Sequence, residues 1–335
     1  MPNFVGCRCC QTDLVAVGDT NGDVRLLKAK TSIISGSQKF YYATGKTTLV
    51  NVAVFNRSQV VMIDQTKRYI VDGTGLVSTT TDTTGGGRND HAHGLKVANS
   101  KIYAVANPPY RCDFSGTVEQ TYSLTFGTAQ DMTFVNDIAV DSAGHLYIIG
   151  QDVGNVSNPP QYALRKFDTD GSNLWDIVKG DYSAQTANCI AIDIDENDNI
   201  YTIVRYLLSG TNYQYLEKRN SSGTVQWSVN LSFVDTKTRY MRYRNGSLYV
   251  RVVRSGTTKM EVYSASTGSL TDTWTTGTTL LSNSTEFVMA IDAADPIIGK
   301  TDADVVRQDF ANNVLKWANS DSGGSYIASL DIRSV

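Results

Sequence analysis

The sequence predicts an all-β fold: a seven-bladed β-propeller of four-stranded antiparallel blades, its ring closed by pairing the C-terminal strand with the N-terminal blade. Three observations predict it. The chain of 335 residues holds 18 Tyr and 27 Gly but only 6 Pro, a composition that favours strands and tight turns. Its four tryptophans, Trp175, Trp227, Trp274 and Trp317, each follow a turn signal and recur 52, 47 and 43 residues apart. That is the period of a four-stranded blade, roughly 40 to 50 residues. A strand, turn, strand unit precedes each Trp, so the spacing makes residues 1–335 one propeller domain.

The elements follow in order. Residues 1–13 are an N-terminal segment carrying Cys7, Cys9 and Cys10. Blade one, 14–49, supplies three strands at 14–18, 23–28 and 39–42 but no inner partner. Blade two, 50–93, opens with Val52-Ala53-Val54 and Val60-Val61-Met62-Ile63, and blade three, 94–136, with Leu95-Lys96-Val97 and Lys101-Ile102-Tyr103. Blade four, 137–188, has the clearest unit, from Ile138 through Asp141-Ser142-Ala143-Gly144 to Gly150. In blade five, 189–240, Ile190-Ala191-Ile192-Asp193 and Asn199-Ile200-Tyr201 align with it. Blade six, 241–287, and blade seven, 288–326, repeat the pattern at Met241-Arg242-Tyr243 and Met289-Ala290-Ile291. Alternating apolar residues around Asp, Asn and Gly turns are what a hairpin requires. The strand at 327–332 has nothing after it and completes blade one, because an unpaired inner edge would leave backbone groups unsatisfied.

The run from Ile138 to Gly150 resembles the repeat of the bacterial β-propeller-repeat and NHL-type families. The turns of the form Gly-x-x-x-Trp at Gly171 and Gly223 are similar to those of pyrroloquinoline-quinone-type propellers. The resemblance covers blades four to seven and implies fold, since unrelated functions share propellers.

Composition narrows the function. Lys plus Arg number 30 against 33 Asp plus Glu, a formal net charge of -3, so the clustered basic excess that nucleic acid requires is missing. The first ten residues show no basic then apolar signal peptide, and no run approaches a membrane span. Neither nucleic acid nor membrane is an expected partner. Five cysteines, three of them clustered, outline no disulfide framework, which fits a reducing site of synthesis.

Loops fall on two faces of a propeller. Turns joining first to second and third to fourth strands are short, as at Asn99-Ser100 and Asn245-Gly246; the opposite face takes the long connections 79–93, 127–136, 151–161, 179–188, 232–240 and 276–286. Long loops on a rigid scaffold are where binding sits, so the functional surface is placed there. Arg88-Asn89-Asp90-His91-Ala92-His93 is the strongest chemical motif on it. His91 and His93 share one side of an extended segment, yet two imidazoles and Asp90 are an incomplete metal set, so a Gly-rich linker without metal is expected. Asp193-x-Asp195-x-Asn197-x-Asn199 has calcium-loop spacing without the required Gly and Glu, and reads as a polar turn. The adjacent pair Cys9-Cys10 resembles the vicinal cysteines of quinone-dependent alcohol dehydrogenases but stands at the N-terminus, which counts against such an enzyme. No nucleophile elbow or phosphate loop occurs. Tyr110, Tyr182, Tyr206 and Tyr213, with Arg111, Arg205, Arg239 and Arg254, form a candidate protein- or sugar-binding set if exposed, or inter-blade packing if not.

The expected function is therefore a non-enzymatic structural and binding module, without cofactor or metal, whose partners are other protein chains of an assembly, a surface glycan being the alternative ligand. The binding candidates are Arg88, Asp90, His91, His93, Tyr110, Arg111, Tyr182 and Tyr206. The Thr, Ser, Asn and Tyr composition resembles tail, fibre and capsid-decorating proteins of bacteriophages, which places the chain in a virion, with the cytoplasm as the other location. A propeller enzyme with its site at the channel mouth is the competing reading.

Overall fold

Twenty-nine strands, described between residues 13 and 334 of a computed structural model, fall into seven antiparallel sheets; side chains are described mainly between residues 95 and 275. Blade one joins β1 (Asp13–Asp19), β2 (Asp23–Ala29) and β3 (Gln38–Ala43). Blade two is β4 (Leu49–Val54), β5 (Gln59–Asp64), β6 (Lys67–Asp72) and β7 (Gly75–Thr81). Blade three is β8 (Leu95–Ala98), β9 (Lys101–Ala104), β10 (Tyr110–Cys112) and β11 (Val118–Thr121). A two-residue strand, β12 (Thr125–Phe126), adds to the inner edge of blade four, which continues as β13 (Gln130–Val140), β14 (Leu146–Asp152), β15 (Gln161–Phe167) and β16 (Asn173–Lys179). Blade five is β17 (Thr186–Ile194), β18 (Ile200–Leu208), β19 (Thr211–Arg219) and β20 (Val225–Asn230). Blade six is β21 (Met241–Arg244), β22 (Ser247–Arg254), β23 (Thr257–Ser264) and β24 (Leu270–Thr275). Blade seven is β25 (Val288–Ile291), β26 (Pro296–Gly299), β27 (Val305–Asp309) and β28 (Val314–Asn319).

The last strand, β29 (Ile327–Ser334), pairs antiparallel with β1, Val15 opposite Ile332 and Val17 opposite Leu330. The C-terminus thus supplies the inner strand of the N-terminal blade. Innermost strands of successive blades touch one another, and β29 touches both β25 and β4, so the series closes on itself. Pairing replaces the two half-blade edges with ladder hydrogen bonds.

The core lies between blades. One apolar layer joins Ile102, Ala104 and Tyr110 of blade three to Val61 and Ile70 of blade two. Others join Tyr103 and Tyr122 to Ile148 and Phe167, Tyr147 and Leu164 to Ile192 and Val204, and Tyr201 and Leu216 to Leu248 and Val250. The sheets of blades three, four and five are therefore covered on both faces, which explains why their strands read as nearly continuous apolar runs.

The Trp turns have a common mechanical basis. In all seven blades the register between third and fourth strands slips by one residue, a bulge that sharpens twist at the rim. Trp175, Trp227 and Trp317 pair directly after it, opposite Lys166, Lys218 and Arg307. Trp274 does not, since Asp272 holds that register and the Trp comes two residues later, opposite Met260. The turn before Trp274 is one residue longer: Ser264 bonds Ser269, whereas Asn220 bonds Thr224 in blade five.

Glycine at these turns serves the next interface. Gly223 (φ +86°) sits against blade four, where an added Cβ would lie 2.8 Å from Ile177 Cδ1 and 3.4 Å from Trp175. Gly268 (φ +72°) sits against blade five, where a Cβ would lie 2.8 Å from Val229 and 2.9 Å from Trp227. The turns of blades five and six thus rest on the tryptophan of the blade before, and only glycine combines the left-handed backbone with that close approach.

Candidate functional site

The two faces differ in how much of them is described. On the long-loop side Arg88, Asp90, His91, His93 and Tyr182, like Cys7, Cys9 and Cys10 and the side chains of Arg239 and Arg254, lie outside the described residues. Two of the other sequence candidates require correction. Tyr110 is only 4% exposed and sits in the layer between blades two and three. Tyr206 is 2% exposed and meets Tyr162 and Tyr215 edge to face, each at 5.8 Å. Both stand on strands whose two faces are covered by neighbouring blades, so proximity to a long loop does not expose them. Arg111 is part-buried and ties blade three to blade four, its Nη1 donating to the Thr169 carbonyl at 2.9 Å and its Nε lying 3.3 Å from Glu119.

The short-turn face carries the most organised polar chemistry among the described residues. Asp141 ends the first strand of blade four. Its Oδ1 accepts from the backbone N–H of Ala143 (3.1 Å) and His145 (2.8 Å), and its Oδ2 from His145 Nδ1 (2.8 Å) and the Tyr147 hydroxyl (3.1 Å), with Lys166 Nζ at 3.3 Å. Asp195 does the same in blade five, accepting from Asn197 N, Asn199 N, Asn199 Nδ2 and Tyr201 Oη at 2.8 to 2.9 Å. The copies superpose Asp141 on Asp195, not on Asp193, and His145 on Asn199. Asp193-x-Asp195-x-Asn197-x-Asn199 is the polar turn its sequence predicts, with Asp198 at φ +59° in the place of Gly144. Asp198 accepts from both the backbone N–H and the hydroxyl of Ser142 in blade four, at 2.9 and 2.8 Å.

A second pair of carboxylates reaches between blades. Asp137 accepts from Ile138 N and, across the interface, from Ile192 N at 3.3 Å. Asp193 accepts from Tyr243 N of blade six at 2.8 Å. Four residues apart on one chain segment, Asp137 and Asp141 are shifted in opposite directions. Burial raises the Asp137 carboxyl, opposed by the charges of Lys96 and Arg242 and by its backbone donors. Burial acts on Asp141 too, but the hydrogen bonds from His145, followed by the charges of His145 and Lys166, outweigh it and hold that carboxyl below the usual range. Opposed carboxylates can divide acid and base roles at a catalytic centre. Here both are taken up by backbone N–H groups, and the blade-five copy replaces His145 with Asn199, which cannot exchange a proton.

Deeper in the interface of blades four and five, Arg219 donates to the Gly223 carbonyl, to Glu217 and to the Tyr162 hydroxyl at 3.1 Å. Burial pushes Tyr162 up to about 12, and burial with the nearby Glu217 charge raises the Cys189 thiol well above its ordinary value. A thiol held protonated is a poor nucleophile. Among the described residues no group of three His, Cys, Asp or Glu is arranged to hold a metal. The sequence pattern does not reveal the bridging roles of Asp137, Asp193 and Asp198, because their partners lie about fifty residues away; the one available signal is that each sits beside a turn aspartate of the repeat.

No family model matches the chain, and no curated protein matches it. Among solved structures it is similar to BamB from Moraxella catarrhalis, a PQQ-like propeller, at 11% identity and TM-score 0.51, over 92% of this chain and 83% of that one. It is similar to the computationally designed Ika8 protein at 11% identity and TM-score 0.56, over 94% and 86%. A third similar chain comes from a nidogen/laminin complex, at 11% identity and TM-score 0.49, over 96% and 98%. With the sheet topology above, the first two show the fold: the chain is a β-propeller.

Proposed function

We propose that this propeller is a non-enzymatic protein-interaction module within a larger assembly, a bacteriophage tail or capsid-decorating position being the one its composition suggests. The observation that carries the reading is the commitment of five described carboxylates on the short-turn side of blades four and five. Asp137, Asp141, Asp193, Asp195 and Asp198 each hold backbone N–H groups of a turn or of the next blade, so they build the scaffold and are not spare for a substrate. A wall stiffened in this way is the rigid kind of scaffold on which binding loops are usually carried.

Cross-linking mass spectrometry on purified particles containing the chain tests this. Cross-links from the loops 79–93, 179–188 and 232–240 to a second protein are expected. A chain that copurifies with no other protein, or whose linked residues all lie on the short-turn face, would contradict the proposal.

A further inference from the structure

The Asn245-Gly246 pair that joins β21 to β22 is chemically labile. In an Asn-Gly sequence the backbone nitrogen of the glycine can attack the side-chain carbonyl carbon of the asparagine, because the glycine has no side chain to obstruct it. The N–H proton leaves to hydroxide, the new N–C bond closes a succinimide ring, and the side-chain nitrogen departs as ammonia. Water then opens the ring to aspartate or isoaspartate. An amide has become a carboxylate, with water and hydroxide as the only co-reactants.

Solvent reaches this pair, but the attacking atom is held. Both residues are exposed, and a Cβ on Gly246 would meet nothing within 4 Å. Arg244 pairs with Ser247, so Asn245 and Gly246 form a two-residue hairpin loop with positive φ at both positions, +48° and +79°. Gly246 N donates to the Tyr243 hydroxyl at 3.1 Å, and the Gly246 carbonyl accepts from Ala265 N at 2.9 Å. The Tyr243 hydroxyl donates in turn to Glu196 of blade five at 2.9 Å, and its ring stacks on Tyr201 with centroids 5.5 Å apart. Burial and the hydrogen bond to Glu196 push Tyr243 up to about 12. The oxygen facing Gly246 therefore belongs to a neutral hydroxyl, which accepts the N–H and does not remove its proton.

We propose that Asn245 is a self-modification site, deamidated by attack of the Gly246 nitrogen, and that Tyr243 is the brake on that reaction. While the N–H is bound to Tyr243, its proton is shielded from hydroxide. The bond from Ala265 resists the rotation of the loop that ring closure requires. Conversion adds a negative charge two residues from Tyr243, and the isoaspartate form lengthens the backbone of a two-residue loop. Both changes act where blade six meets Glu196 and Tyr201 of blade five. The inference goes beyond the binding-module reading and does not rest on it.

Incubation of the full-length protein in mildly alkaline buffer, followed by digestion and mass spectrometry of the peptide containing Asn245, tests it. The same chain unfolded in guanidinium chloride supplies the unrestrained rate. Folded wild type is expected to convert at Asn245 more slowly than the unfolded chain. Tyr243→Phe keeps the stacked ring and removes the hydroxyl, and should convert about fivefold faster than folded wild type, the factor that one hydrogen bond sets. Glu196→Ala changes an exposed turn residue, takes away the acceptor that orients the Tyr243 hydroxyl, and should quicken conversion by a smaller factor. It keeps the test valid if the phenylalanine variant fails to fold. Wild type converting as fast folded as unfolded, no conversion at Asn245 in the folded variants, or equal rates in wild type and every variant that folds would overturn the proposal.

Discussion

Gly268 and Gly246 share a left-handed backbone, at φ +72° and +79°, but not their surroundings. A Cβ on Gly268 would meet Val229 and Trp227 at 2.8 and 2.9 Å, whereas one on Gly246 meets nothing within 4 Å. Both Gly→Ala changes incur the left-handed penalty of about 1–2 kcal/mol, and Gly268→Ala adds an overpacking cost of roughly 1–3 kcal/mol. Urea unfolding should rank Gly268→Ala clearly below Gly246→Ala; equal midpoints would mean that the turn does not rest on the tryptophan. Trp227→Ala should cost about 3 kcal/mol for the same reason, and an unchanged midpoint would make that residue a surface contact. For Asp141 the sign follows from its lowered pKa. The stability it contributes is present above its unfolded value of about 3.9 and is lost as pH falls below that through the folded value. Asp141→Asn should therefore be less stable than wild type at pH 6, with the gap closing in acid; a gap independent of pH would contradict the charge-based role. Turn glycines and tryptophans are legible in the sequence because their chemistry is local. The reach of Asp137 and Asp193 into the next blade is not, because no local pattern records which backbone N–H a carboxylate will meet.

At the scale of elements, the closing strand carries the clearest consequence. Residues from Asp13 to Asp19 pair on one side with β2 and on the other with β29, so removing 327–335 would bare the whole inner edge of β1. The truncated chain should lose cooperative thermal unfolding and elute as aggregate on size exclusion; a monomer with the wild-type transition would show that β29 is dispensable. Closure was legible because three strands without an inner partner at one end match one strand without a successor at the other. Two details were not. The short β12 on the inner edge of blade four has no hydrophobic pattern of its own, and the copies of the Asp turn align two residues later in blade five than apolar matching suggests. Inner-strand bulges, between Val135 and Asp137 and between Cys189 and Ala191, add residues that a simple period cannot register.

For the whole molecule, repetition explains why architecture was readable and function was not. Each blade must bury the same two faces, so the same residue types return at a fixed period. A binding surface has no such obligation. Tyr110 and Tyr206 illustrate the consequence, since residue type marks a tyrosine equally well as a hot spot or as inter-blade packing, and burial decides for packing. The central claim is that the chain binds and does not catalyse. An experimental structure of the isolated chain, collected at energies that reveal any bound transition metal, tests it most directly. The account predicts that Asp90, His91, His93, Asp131, Asp152, Asp181 and Asp235 do not converge on one site, with no metal on the two histidines. Three of those side chains within about 4 Å of a common point, or a stoichiometric metal held by His91 and His93, would contradict it in favour of an enzyme.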